Sequence, residues 1–207
     1  MLSKKVLSRL QQQINEYDKT RERLLDLTRK ITRLAGWAII QIHRREIVEA
    51  KATLKEAEVL MAETSSLLKT RVEFRQVGYV VVAFQELAEA KILLGFVTRK
   101  KLLSQREAAG EWIPYLLGLL DFLGELRRMT MDRLKVGDLQ GAEEAFESME
   151  TIHEDLLSLD RTSIVPNFRR KMDTARKLVE ATRADIVGES RRVALENAMK
   201  NLERQLR

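Results

Sequence analysis

Apolar residues recur every three or four positions along most of the chain, which predicts amphipathic helices. A first helix is expected from about Ser3 to Glu46, with Ile14, Tyr17, Leu24, Leu25, Leu27, Ile31, Leu34, Ala38, Ile39 and Ile42 at helical spacing. A second covers roughly Ile47 to Lys69, and a third Val72 to Leu103. The middle of the third is apolar all round, as expected of a central helix. Its closing Arg99-Lys-Lys101 cluster suits the negative end of a helix dipole. Ser104-Gln-Arg-Glu107 has the capping-box pattern, Gly110 follows, and Pro114 fits the first turn of a fourth helix, Trp112 to Lys135. Val136-Gly-Asp138 reads as a turn. A fifth helix, about Leu139 to Leu159, carries Glu143, Glu144, Glu147, Glu150 and Glu154 as a solvated face. Arg161-Thr-Ser-Ile-Val-Pro166 reads as a loop, and a sixth helix runs from Asn167 to Ile186. Gly188 should loosen it. Beyond lies a tail, Glu189 to Arg207, with Leu195, Met199, Leu202 and Leu206 spaced four, three and four. That stripe is expected to pack on the bundle or on a neighbouring subunit. The fold class is all-α: a single-domain bundle of six or seven helices over 1–187, followed by a helical tail, 188–207.

Composition narrows the function. With no cysteine, disulfides and thiolate metal sites are excluded. No apolar run spans a bilayer without a charge, and the start lacks the apolar block of a secretory signal, so a soluble, cytoplasmic protein is expected. The net charge of +6 leans toward a polyanionic partner, though a merely solvated basic surface is the plain alternative. Aromatics make up only 5% of residues, and no strand pattern carries them, so a base-stacking sheet is not expected. Gripping of backbone phosphates fits better. Arg21, Arg29 and Arg33 on the first helix are candidates, with Arg29 and Arg33 on one face. Arg128, three residues beyond Glu125, is another.

The candidate chemistry lies in two acidic pairs set inside the most apolar stretches. Glu86 and Glu89 fall within the run Val77 to Lys91, and Asp121 and Glu125 within Tyr115 to Leu126. Ionised carboxylates are costly to bury without a partner. Spacings of three and four put each pair on one helix face. Four hard oxygen donors without imidazole or thiolate favour magnesium or manganese. In a basic protein such an ion points to phosphodiester chemistry. The structural alternative is that Arg127, Arg128 or Lys91 neutralises the pairs in salt bridges. A rival metal motif, Glu150-Thr-Ile-His153, needs a second copy, but the other histidine, His43, has Ile40 where the glutamate should stand. His153 is then expected at the surface or its boundary. No glycine-rich phosphate loop and no Ser–His–Asp arrangement is present.

These residues resemble the family of translin and its partner Trax. Tyr115-Leu-Leu-Gly-Leu-Leu-Asp-Phe-Leu-Gly-Glu-Leu126 looks like the Trax segment that reads Tyr-Leu-Leu-Gly, two residues, Asp, two residues, then Gly-Glu-Leu. Gln85-Glu-Leu-Ala-Glu-Ala90 matches the Trax pattern Gln-Glu-x-x-Glu-Ala. The similarity spans about Leu10 to Ile186. It implies an all-α fold that assembles into a closed oligomeric barrel, an octamer in this family, binding RNA and single-stranded DNA. It also implies a magnesium-dependent endoribonuclease whose acids match Glu86, Glu89, Asp121 and Glu125. The chain lacks the long basic amino-terminal extension of eukaryotic Trax and its insertion before the fourth helix, and so resembles prokaryotic members that form homo-oligomers. The main expectation is therefore a nuclease with magnesium or manganese on those four acids. The alternative is a non-catalytic RNA- and single-stranded-DNA-binding scaffold of the translin type.

Overall fold

Buried positions on the first helix follow a spacing of three and four: Leu24, Leu27, Ile31, Ala35, Ala38 and Ile42. This helix, α1 (Lys4–His43), is opened by Ser3, whose hydroxyl accepts from the Val6 amide at 3.4 Å. A tight turn leads into α2 (Ile47–Thr70). The small buried Ala50 and Ala57 let α2 lie close along α1. In a computed structural model, residues 2–159 and 164–206 are described. They group into two compact units, Met1–Gly118 and Leu119–Arg207.

In the first unit, α1 packs on both α2 and α3 (Gly78–Arg99). The expected start of α3 at Val72 is not observed: a single 3-10 turn, Val72–Phe74, comes first. Val77 is extended and caps α3, which begins at Gly78. At the other end Lys100 adopts the left-handed conformation (φ 53°) and closes the helix on the Phe96 carbonyl. α3 is buried on most of its circumference, from Ala83 through Phe96, and is the central helix the sequence implies. The capping box at Ser104 and Glu107 forms as expected and opens a one-turn helix, α4 (Gln105–Ala108). The first turns of α5 (Trp112–Lys135) follow, with Pro114 in the first.

In the second unit, α6 (Leu139–Leu157) packs on α7 (Phe168–Gln205), and α6 buries Ala142, Ala145, Phe146, Met149 and Ile152. The expected turn is present. Gly137 has φ of 77°, and Asp138 caps α6 by accepting from the Gly141 amide at 2.9 Å. Glu143, Glu144, Glu147 and Glu154 face solvent as expected. The side chain of Arg127 on α5 reaches α7, donating to the Thr182 hydroxyl at 2.7 Å and to Asp185 at 3.0 Å.

Four further expectations change. Gly188 does not interrupt the last helix; α7 runs unbroken to Gln205 because a glycine costs a helix only about 1 kcal/mol. Its apolar stripe, Leu195, Met199 and Leu202, is more than half exposed and so does not pack on its own chain. Ile14 keeps the α1 period but is 59% exposed, and Tyr17, also exposed, only touches the Phe74 ring, at 4.7 Å between centroids. The opening turns of α1, up to Ile14, are exposed throughout. Finally, His153 is buried, not at the boundary, and among the described residues no hydrogen-bond partner meets its Nε2. Part of the expected Arg161 to Pro166 loop lies outside the described residues. No described helix is long and apolar enough to cross a membrane.

Candidate metal centre

α3 places its two acids one turn apart in the middle of an apolar helix. Glu86 is partly buried and Glu89 is buried to 7% exposure. Each offers a carboxylate oxygen within 4.8 Å of the other. Two ligands of one magnesium ion sit about 4 Å apart or less, at 2.0–2.1 Å from the metal. The pair therefore needs only a small side-chain adjustment to share a cation. Both donors are hard oxygens, which suits magnesium or manganese and not a soft metal.

A close helix approach is built beside this pair. A Cβ on Gly118 would stand 3.0 Å from the Gln85 carbonyl oxygen and 3.1 Å from both Ala88 Cβ and the Glu89 nitrogen. Only glycine lets the start of α5 come this near the α3 backbone. Because α5 is one unbroken helix, Asp121 stands about one turn beyond Gly118, and Glu125 about one turn further. Asp121 is held by the Lys171 ammonium from α7 in a short, largely buried ion pair. Glu125 lies 4.0 Å from the half-exposed Arg128 guanidinium. Of the three cations that the structural alternative names, Arg128 comes no nearer than 4.0 Å to Glu125, Lys91 is engaged by Glu58 at 2.5 Å and Arg127 by Asp185 at 3.0 Å. The rival Glu150–His153 pair is not a metal centre of that kind: Arg183 holds Glu150 at 2.5 Å, and burial pushes the His153 imidazole below its ordinary value.

The candidate phosphate-gripping residues differ among themselves. Arg21 already shares its charge with Asp18 at 3.3 Å and Glu22 at 2.6 Å. Arg29 and Arg33 are exposed and lie on one stripe of α1 that also carries Trp37 and ends at Arg44. Trp37 is 46% exposed, with the Arg44 guanidinium 5.9 Å from its ring centroid. Sequence reasoning passed over Trp37, although its four-residue step from Arg29 and Arg33 was the available signal. Lys171 gave no local signal at all.

A model of the translin family matches residues 19–182. A protein of Methanocaldococcus jannaschii of unassigned function is 37% identical over 174 residues, covering 82% of this chain and 76% of its own. The chain belongs to the translin family. Among solved structures, apo-NeC3PO superposes with a TM-score of 0.81 at 22% identity, covering 91% of this chain and 98% of that one, a likeness of fold. AfC3PO, solved with duplex RNA, gives a TM-score of 0.77 at 27% identity, covering 89% and 96%. The all-helical fold expected from the sequence is thus the fold of this translin-family chain.

Proposed function

We propose that this translin-family chain is a divalent-metal-dependent endoribonuclease of the Trax branch, working inside a closed homo-oligomeric barrel, an octamer. The observation that carries the reading is the Glu86–Glu89 pair: two carboxylates, one buried, aimed together from the most apolar helix of the chain. Asp121 and Glu125 would complete the donor set. Bound there, magnesium or manganese would activate water and stabilise charge on the non-bridging phosphate oxygens. Glu86 and Glu89 would hold the ion, and one of the four carboxylates would take the proton of the attacking water. Arg29, Arg33 and Trp37 would hold the strand by phosphate contact and stacking, with Arg21 and Arg128 as lesser contacts. That AfC3PO was solved with duplex RNA supports RNA as the substrate class.

Incubating labelled single- and double-stranded RNA with magnesium, manganese or EDTA tests the proposal. Cleavage should need the ion, and Glu89→Ala should lower it at least about a hundredfold while RNA binding stays nearly unchanged. Full activity of that variant, or activity in excess EDTA, would refute the assignment. One observation favours a second reading, a scaffold that binds RNA and single-stranded DNA without cutting: the Lys171 ammonium already neutralises Asp121. That reading expects salt-sensitive binding and no metal-dependent products.

A further inference from the structure

Between α2 and α3 of the first unit lies a cavity of about 440 Å³, within the range of small-molecule sites. Its lining divides in two. Leu54, Leu94 and Leu103 form an apolar floor. Leu103 reaches it because Gly95 has no side chain: a Cβ there would meet Leu103 Cγ at 2.8 Å. Lys51 and Lys55 from α2 and Arg99 from α3 supply charge at the exposed edge. The lining holds one acid, Glu58, and Lys91 binds it at 2.5 Å, leaving the three edge cations unbalanced within the cavity. Lys51 and Lys55 sit four residues apart, so their like charges repel along one helix face. An anion between them relieves that repulsion.

We propose that this cavity binds a nucleoside phosphate, with the phosphate on Lys51, Lys55 and Arg99 and the base on the leucine floor. A bare phosphate is much smaller than the space and leaves the floor uncovered. A guanidinium fork suits a phosphate's paired oxygens. The cavity is separate from the candidate metal centre. At about 100° per residue, Lys91, Leu94, Gly95 and Thr98 lie on the side of α3 opposite Glu86 and Glu89.

Calorimetric titration of the full chain with AMP, adenosine and inorganic phosphate, all in EDTA, tests this without any contribution from a metal. AMP should bind at least about tenfold more tightly than either fragment. The double variant Lys55→Glu/Arg99→Glu should lose at least about tenfold, and so should Thr98→Trp, which fills the cavity from an exposed position without changing charge. Lys177→Glu, on α7 outside the cavity, should bind as the parent does. Titrating a short RNA with and without a 5′-phosphate separates the sources. Phosphate-dependent affinity lost in the same variants identifies the end of a strand, and binding of AMP alone identifies a free nucleotide. Absence of AMP binding at millimolar concentration, or equal affinity in all three variants, overturns the proposal.

Discussion

Lys171 is the residue on which the two functional readings part. Its pair with Asp121 is about four-fifths buried on both sides. Removing one member of such a pair strands the other. Lys171→Met should therefore cost about 1–3 kcal/mol in the absence of metal. If Asp121 is a ligand, manganese should restore much of that loss, because the ion replaces the missing positive charge. Thermal melts of the variant with and without manganese decide it, and no recovery speaks for the scaffold. His153 makes a separate prediction. Burial lowers its pKa in the folded chain below the unfolded value near 6.5. Below that value the unfolded chain takes up the proton more readily, so stability present at neutral pH is lost as pH falls. The melting temperature should drop between pH 7 and 5, and the drop should be shallower in His153→Gln. Both residues show where the sequence stops speaking. The acids announced themselves by sitting in apolar runs, whereas Lys171 lies fifty positions from Asp121 among other basic residues. Its partner is chosen by tertiary packing that no local pattern encodes. Burial of His153 likewise follows from which face of α6 meets α7.

Among the elements, α3 and the start of α5 matter most, and Gly118 sets how closely they approach. Gly118→Val puts a branched side chain where even a Cβ lies 3.0 Å from a backbone oxygen. Overpacking of this kind costs about 1–3 kcal/mol. Chemical denaturation should show that loss. If the approach positions the candidate ligands, manganese affinity should fall as well, and an unchanged affinity would detach Asp121 from the site. The helices were legible because their apolar periods are long and their caps explicit: Ser104 with Glu107, Pro114, and the turn at Gly137. Less legible was where a period loses its partner. Ile14 continues the stripe of α1 yet stays exposed. Gly188 reads as a loosening of the last helix, yet Glu189, Arg191, Arg192, Ala194 and Leu195 beyond it are good helix formers and outweigh one weak position.

For the whole molecule, two exposed apolar stripes stand out: Leu7, Leu10 and Ile14 on α1, and Leu195, Met199 and Leu202 on α7. Exposed stripes of this kind mark association surfaces. Leu195→Lys combined with Leu202→Lys should lower the solution mass measured by light scattering if the tail joins copies of the chain. An unchanged mass would assign the tail no part in assembly. The opening stretch of α1 has a related consequence. A helical end with little packed against it frays quickly, and its amide hydrogens exchange with solvent with little protection. If another copy covers residues 4–19, their exchange will slow as the solution is made more concentrated, while the amides of α3 keep the same rate throughout.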